Sequence, residues 1–568
     1  MSDKFLEKCL FDPEKNILGH NHLTPQEYES IVYQWNKTNK KYKKYNAVHE
    51  LFEVQVNRNP ENTAAIFGNE TLSYRELNEK SNQLARYLRS QYKVISQNEL
   101  TFNPLIAVYM ERGIEMIICL LGIVKSGGAY LPLDPEYPDE RINYMLEDSQ
   151  VKIVLTRNNL ITRLEAIQKR HVVINLDAPK IFNHLLSTNL NIPHQPDNIA
   201  YVCYTSGTSG KPKGVLNTHR GLLNRIQWSI ETYSLTEDDK LLQIAASGFD
   251  ISVWEMLFPL LSGAQLIIAK TGIQRSVVSL RKLIFDENIS FLHIVPSLLN
   301  VLVEHPEFSI NNPLKQVLTG GETVSLALRQ KFMRTMQCKL YIAYGPTEAA
   351  ISVTHLDCAK DTYLKGSSIG RAIANTLLYV LDDNLKPVPI GVRGELYIGG
   401  ANLARGYLNR PDLTQDRFIL NPFITKAHQL KGYIHLYKTG DLVRWLPDGN
   451  LEFIGRADNQ IKLRGFRIEL EEIENVVKSY ADVLDCVVTV RNINDIDYLI
   501  AYFILQQNSN ETKFDLKQLR EYLIRFLPNF MVPSYLIKLN ELPITVHGKI
   551  DRKTLPDPSV KDRFFALV

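Results

Sequence analysis

From residue 48 onward, short unbroken apolar runs alternate with stretches whose apolar residues recur every three or four positions. The run 105–110 reads as a buried strand, and 111–125 sets Ile114, Ile117, Ile118 and Leu121 on one helical face. A helix opens at 72–77 and continues through Leu84 and Leu88, 126–135 reads as a turn-rich exit, and 151–156 and 199–204 read as strands. Residues 215–230 return to helical spacing, 251–261 do the same, and strands are expected at 241–246, 265–269, 291–295, 316–319 and 339–344. Such alternation predicts parallel sheet covered by helices.

Beyond Gly366 the texture changes. Residues 394–400 alternate with period two, and 437–442 and 446–449 are bounded by turns, which predicts a small antiparallel or barrel-like unit. After about residue 458, a helix aligning Leu470, Ile473, Val477 and Tyr480, strands near Val487 and Leu499 and a helix over 516–527 make a small α+β domain. The fold class is therefore α/β. It has a large N-terminal domain of parallel-rich sheets with helices, a small barrel-like β unit and a small mobile C-terminal α+β domain. The division expected is a leader over 1–45, a large domain over 46–457 and a small one over 458–568.

A chain of 568 residues is too long for one ordinary core. The net charge of +3 is small for that size and argues against a nucleic-acid or membrane partner. The six cysteines are scattered with no C-x-x-C pair, so neither zinc nor a disulfide framework is indicated and a reducing cytoplasm fits. Residues 1–10 carry no apolar signal core, and no run of 18 apolar residues exists. Lys37, Lys40, Lys41, Lys43 and Lys44 crowd one polar stretch, read as a solvated linker before a docking arm.

Chemistry concentrates on Tyr204-Thr-Ser-Gly-Thr-Ser-Gly-Lys-Pro-Lys-Gly214, placed between the strand at 199–204 and the helical pattern after it. Its glycines let backbone approach an anion, its hydroxyls add neutral donors, and Lys211 and Lys213 add charge, a combination that holds a polyphosphate. The spacing is not that of a Walker loop. Three further motifs fall at strand ends: Gly248-Phe-Asp-Ile-Ser-Val-Trp-Glu255, Gly320-Gly-Glu322 and Tyr344-Gly-Pro-Thr-Glu348. Ligands of open α/β sheets bind beyond the carboxyl ends of strands, so these segments are expected to share one crevice with the loop. Downstream lie Tyr437-Lys-Thr-Gly-Asp-Leu442, the polar stretch 455–470, and Leu542-Pro-Ile-Thr-Val-His-Gly-Lys-Ile-Asp-Arg552, which presents Lys549 on a turn.

These motifs, in this order over about 51–555, resemble the adenylation domains of nonribosomal peptide synthetases, within the adenylate-forming superfamily of acyl-CoA synthetases and luciferases. The resemblance implies activation of an α-amino acid by ATP and Mg²⁺, then transfer to the phosphopantetheine thiol of a peptidyl carrier protein. It implies that Thr205, Ser206, Gly207, Thr208, Ser209 and Gly210 orient the phosphates together with Lys213. Gly321, Glu322, Gly345 and Thr347 line the nucleotide, Tyr344 stacks on adenine, and Asp441 holds the ribose with Arg456 close by. Glu348 carries the metal, Lys549 contacts the substrate carboxylate and the α-phosphate, and Asp458 is the hinge of the small domain. No side-chain nucleophile is needed for this reaction, in keeping with the lack of a Ser-His-Asp or Cys-His arrangement.

For the amino acid, the resemblance implies a pocket of Asp250, Ile251, Trp254, His293, Leu318, Gly320, Ala343, Ile351 and Ser352. Asp250 pairs with the α-ammonium, though a helix N-cap is the plainer role for an aspartate there. The walls are mostly apolar, Gly320 and Ala343 leave room, and only His293 could face a charged side chain. Trp254, His293 and Leu318 resemble serine-type pockets, from which Gly320, Ala343 and Ser352 depart, so a larger neutral side chain stands equally with serine. The family also implies a monomer, free-standing or cut from a larger synthetase, with an MbtH-like protein among its partners. Rival readings are an acyl- or aryl-CoA ligase and a catalytically inactive amino-acid or nucleotide binder.

Overall fold

The computed structural model describes residues 23–96, 103–164, 170–178, 181–207, 210–305, 308, 312–360, 366–493, 496–506, 514–544 and 550–558. Among these the strands form sheets of 14, six, three and two strands.

The six-stranded sheet runs Val172–Asn175, Ile153–Thr156, Leu105–Tyr109, Ala129–Leu133, Ile199–Thr205 and Lys213–Thr218. All its pairs are parallel except the last, which is an antiparallel hairpin in the register Tyr204↔Gly214 and Thr205↔Lys213. Two expectations change here. Residues 126–135 are not simply an exit turn, because Ala129–Leu133 is a fully buried central strand. Its Pro132 is accommodated because the ladder to Ile199–Thr205 is reduced to the single register pair Tyr130↔Tyr201, where a missing N–H matters least. The glycine-rich loop joins strand to strand rather than strand to helix: Val215 and Leu216 belong to Lys213–Thr218, and the helix begins afterwards at His219–Tyr233, capped by the Thr218 hydroxyl.

The larger sheet has a parallel core of Thr63–Phe67, Gln265–Ile268, Lys240–Gln243, Phe291–Ile294, Gln316–Gly320 and Lys339–Tyr344. It continues without a break into antiparallel strands Thr354–Asp357, Ser368–Ala372, Leu451–Arg456, His435–Trp445, Gly394–Gly400 and Thr376–Leu381. The helix Ile114–Ser126 is buried on almost every side, which explains why its pattern is apolar nearly all round. Tyr74–Ser96 is preceded by a reciprocal cap in which the Glu76 carboxylate accepts from Ser73 N–H while Ser73 Oγ accepts from Glu76 N–H.

The leader is corrected from Leu23 onward. Helical residues 25–34 bury Ile31 and Val32 in the core of the antiparallel strands, and the Asn36 side-chain amide donates to the Leu378 carbonyl at 2.9 Å and accepts from the Leu378 N–H at 2.7 Å. This segment is thus part of the fold. The five lysines after it are exposed.

The small domain packs the helices Leu470–Lys478 and Leu516–Phe526 on the strands Val483–Ile493, Ile496–Leu505 and Tyr535–Lys538. Its two-stranded hairpin, Gln460–Leu463 with Phe466–Glu469, reaches back to the large domain. Phe466 stacks on Phe530 with centroids 3.9 Å apart and meets Phe249 edge-on at 5.2 Å. A Cβ on Gly465 would lie 2.6 Å from Val295 Cγ1, and its φ of 81° is left-handed, so the hairpin tip needs glycine twice over.

Candidate active site

The crevice lies where the phosphate-loop hairpin, the ends of Gln316–Gly320 and Lys339–Tyr344, and the small-domain hairpin converge. Thr205 Oγ1 is buried with no hydrogen-bond partner among the described residues. Ser206 Oγ donates to the Arg467 carbonyl at 2.9 Å and accepts from Glu469 N–H at 3.2 Å. Gly207 N–H donates to Glu472 Oε2 at 3.1 Å, while Glu472 Oε1 holds Arg141 at 2.6 Å. A small-domain carboxylate therefore sits on a backbone donor of the loop expected to bind phosphate. Gly210 has φ 79°, and a Cβ there would meet Asn475 at 2.8 Å. Lys211 lies over the Tyr144 ring. Thr208 and Ser209 lie outside the described residues, as does Lys549.

Glu348 is completely buried in the short helical turn Thr347–Ala349. Its Oε2 accepts from Arg467 Nη1 at 2.7 Å and its Oε1 from the Tyr407 hydroxyl at 2.7 Å, with Lys213 Nζ 3.9 Å away. Burial alone would push this carboxyl up, but Arg467, Lys213 and Tyr407 outweigh it and hold the group down at about 2. The same burial lowers Lys213 to about 8 despite Glu348. Lys213 also rests 4.8 Å above the Tyr407 ring. Neither Arg467 nor Tyr407 was singled out by motif. Arg467 stands inside the 455–470 stretch, which marked it as polar without giving it a partner, and nothing in sequence pointed to Tyr407.

Tyr344 closes the other wall. Its hydroxyl donates to Asp441 Oδ2, and Arg456 Nη1 donates to Asp441 Oδ1 at 2.7 Å. The same guanidinium grips Asp458 with both forks, at 2.7 and 2.6 Å, tying the expected nucleotide arginine to the expected hinge. Lys462 Nζ lies 4.9 Å from the Tyr344 ring centroid, and burial lowers its pKa. The cleft beside this ring is lined by Gly321, Thr323, Gly345, Ser368, Phe453 and Lys462. Glu322 lines the same cleft while accepting from Ser297 N–H at 2.9 Å and Ser297 Oγ at 3.2 Å. Gly345 is fixed by packing, since a Cβ would come within 2.4 Å of Ser352 Cα.

The residues expected around the amino acid gather behind this crevice. Asp250 is the first residue of the helix Asp250–Ser262; the cap position belongs to Phe249, and no side chain caps that helix. The N-cap alternative for Asp250 therefore falls. Its Oδ2 is buried without a partner among the described residues, and burial raises its pKa to about 6 against the pull of Thr347 and the Ile251 N–H. Trp254 is wholly buried, stacked on Phe258 at 4.8 Å, with Nε1 donating to Ser229 Oγ at 3.1 Å. Leu318 and His293 pair across neighbouring strands, and Ala343 pairs with Gly320. Gly320 does not simply leave room: a Cβ would strike the Ala343 carbonyl at 2.3 Å, so backbone approach demands it. Ala350 and Ile351 both adopt left-handed φ, 50° and 78°, an unusual strain for non-glycine residues that turns the chain into the pocket. Ser352 Oγ is buried without a partner among the described residues.

These residues suit a metal-bound polyphosphate. Thr205 offers an unused hydroxyl, and Glu348 stays ionised in a fully buried site with cations already drawn to it. Among the described residues no group of three His, Cys, Asp or Glu side chains could hold a metal. A cation at Glu348 would therefore complete its shell with phosphate oxygens and water, the habit of Mg²⁺.

The sequence profile of the AMP-binding enzyme family matches residues 52–408, and that of its C-terminal domain matches residues 472–549. The chain belongs to the AMP-binding enzyme family. Gramicidin S synthase 1 of Brevibacillus brevis is 38% identical to it over 557 residues, 97% of this chain and 48% of that protein. Tyrocidine synthase 3 of Brevibacillus parabrevis is 39% identical over 544 residues, 95% of this chain and 8% of that protein. The chain thus spans less than half the length of either relative. Among solved structures, holo-PA1221, an NRPS protein containing adenylation and PCP domains bound to a vinylsulfonamide inhibitor, superposes with TM-score 0.74 at 26% identity, covering 89% of this chain and 83% of that one. Among the described residues no helix is long and apolar enough to cross a membrane.

Proposed function

We propose that this chain joins an α-amino acid to AMP and passes the aminoacyl group to the phosphopantetheine thiol of a peptidyl carrier protein. The observation that carries this reading is the partnerless buried oxygen of Asp250, set behind a crevice bearing the phosphate loop, Glu348 and the Tyr344–Asp441 pair. A buried carboxylate with an open acceptor site needs a cation, and the α-ammonium of an amino acid is one.

In the first half-reaction a substrate carboxylate oxygen attacks the α-phosphorus of ATP and pyrophosphate leaves. Mg²⁺, held by Glu348, would neutralise phosphate charge and fix its orientation. Thr205 Oγ1, Ser206, the Gly207 N–H and Lys213 hold the β- and γ-phosphates, Tyr344 packs on the base, and Asp441 takes the ribose hydroxyls. Lys549 balances charge between the two reacting anions. Catalysis of this kind is mainly positioning and electrostatics. In the second half-reaction the carrier thiol attacks the activated carbonyl, the thioester forms, and AMP leaves.

Arg467, Glu469 and Glu472 occupy the phosphate loop and Glu348 in the present arrangement. That supports a reading in which the small domain turns about Asp458 to expose the ATP site and returns for thioester formation. The enzyme works as a monomer in the cytoplasm, and an MbtH-like protein belongs among the partners to be tested. Amino-acid-dependent ATP–pyrophosphate exchange across the twenty amino acids, a benzoate and a fatty acid tests the activity. Exchange with one or a few amino acids is expected; exchange with the other acids alone would make the protein an acyl or aryl ligase.

A further inference from the structure

Residues 244–249 carry the chain from the strand Lys240–Gln243 to Asp250, the first residue of the helix Asp250–Ser262. Their sequence, Ile-Ala-Ala-Ser-Gly-Phe, has no charge, and no side chain caps the helix that follows. Yet three buried ionisable side chains from outside the loop converge on it. Glu255 Oε2 accepts from the Ile244 and Ala245 N–H groups at 3.0 and 2.8 Å. Arg112 Nη1 donates to the Ile244 carbonyl at 2.8 Å. Asp134 Oδ2 accepts from Ser247 Oγ at 3.4 Å, and its Oδ1 accepts from the Glu136 N–H at 2.9 Å. Burial raises the Asp134 carboxyl, against the pull of the Glu136 and Gly248 N–H groups and of Arg112. Tyr137 closes the other side of the loop, since a Cβ on Gly248 would lie 2.2 Å from its hydroxyl.

Asp134 also bridges the two large sheets. It follows Ala129–Leu133 of the six-stranded sheet, beside the strand Ile199–Thr205 that leads into the phosphate loop. The loop 244–249 leaves a strand of the larger sheet. The contact therefore ties the sheet that bears Thr205 to the turn that aims Asp250. Burying ions is costly, and apolar groups of similar volume would hold a plain turn as well. Three such charges spent on one neutral loop point to a loop whose position matters more than its stability.

Resting on the amino-acid-activating role proposed above, we propose that Asp134 is a positioning residue for the reaction. Through Ser247 and Gly248 it sets where the Asp250 carboxylate stands relative to the phosphate loop. Asp250 meets the α-ammonium; Asp134 acts only through the loop. In Asp134→Asn one oxygen becomes an N–H₂ group, which cannot accept. Either Glu136 or the 247–248 turn loses its acceptor, and Asp250 shifts while its charge remains. An acid with no ammonium is not held through Asp250, so it should be nearly indifferent to that shift.

The test is pyrophosphate exchange by the full chain with its most active amino acid and with the 2-hydroxy acid bearing the same side chain. The native chain should prefer the amino acid by at least about 100-fold in kcat/KM, and Asp250→Ala should abolish that preference. Asp134→Asn should cut the preference by about 10-fold or more, while exchange with the 2-hydroxy acid changes by less than about 3-fold. Gly248→Ala is the second variant, for use if Asp134→Asn does not fold. Gly248 has no left-handed φ, so alanine there is opposed only by the Tyr137 contact, and it should push the loop and lower the preference in the same selective way. Equal loss with both acids would mean that Asp134 merely supports the fold and overturns the inference. A preference lost in Asp250→Ala but kept in Asp134→Asn and Gly248→Ala overturns the inference alone. A preference that survives in Asp250→Ala overturns the ammonium role of Asp250, and the inference with it.

Discussion

Replacing Arg467 by alanine should make the protein bind Mg·ATP more tightly. The guanidinium, itself largely buried, lies 2.7 Å from Oε2 of the fully buried Glu348. The same small-domain hairpin ties up Ser206 through Arg467 O and Glu469 N–H, so nucleotide cannot enter until this contact opens. A hydrogen bond between charged groups contributes about 1.5–3 kcal/mol. When a molecule must open before it binds, its apparent affinity is reduced by the fraction that is open. Each 1.4 kcal/mol is a factor of about ten, so removing the bond should strengthen Mg·ATP binding by about 10- to 100-fold. Glu348 keeps Tyr407 and Lys213, so the acceptor for the cation is not lost with Arg467. Calorimetric titration of the full chain with a non-hydrolysable Mg·ATP analogue, without amino acid, reads the effect, and Arg467→Lys should fall between the two. An unchanged or weaker affinity in Arg467→Ala would refute the idea that the small domain holds the ATP site with the chain's own charges.

Asp250→Asn should raise the KM for the amino acid by about 100-fold or more, by the usual value of a charge-assisted pair in a dry site, while leaving ATP affinity unchanged. Because burial raises Asp250 to about 6, the native KM should climb as pH falls below that value and the carboxylate takes a proton, measured by exchange rates between pH 5 and 8. Acid should also weaken the fold through buried histidines: burial lowers His194 to about 4 and His219 to about 3, beside His49, which burial also depresses. Such groups bind protons in the unfolded chain first, so stability is complete above the ordinary histidine value of about 6.5 and is lost as pH falls below it, by about 2 kcal/mol each at pH 5. Melting curves at pH 7.5 and 5 should separate in the native chain and lie closer together in a double His194→Gln, His219→Gln variant, the remainder coming from His49 and His355. Gly320→Ala should abolish amino-acid-dependent exchange and destabilise by about 1–3 kcal/mol, because its new methyl would overlap the Ala343 carbonyl, as chemical denaturation would register.

Much of this architecture is legible in the chain because each local period matches one kind of burial. Strands such as 105–109 and 153–156 are covered on both faces and appear as nearly unbroken apolar runs, while the helix at 470–478 exposes one side and shows the three-to-four spacing. The misreadings have physical causes. Ala129–Leu133 contains a proline, ordinarily a sign against a central strand, and is tolerated where the neighbouring ladder is almost absent. Val215 and Leu216 sit in the brief second arm of a hairpin, too short for a two-residue period to stand out before the helix begins. Ile31 and Val32 are buried by strands more than three hundred residues later, a contact that no local pattern reports.

The site divides in the same way. Glycine-rich and strand-end motifs mark Thr205, Glu348, Tyr344 and Asp441 because their backbone settings demand particular residues nearby. Tyr407 and Arg467 reach Glu348 from distant elements, Glu472 with Arg141 reaches the Gly207 N–H, and Glu255 meets His293 from a helix far from it in sequence. A pairing between elements so far apart leaves no spacing to read.

The most direct measurement of the central claim is mass spectrometry of what the full chain holds after incubation with Mg·ATP and each amino acid, with pyrophosphate release followed alongside. The account predicts an aminoacyl adenylate for one or a few amino acids, with one pyrophosphate released per adenylate formed. Amino-acid-dependent release of ADP and inorganic phosphate, with no adenylate, would contradict it.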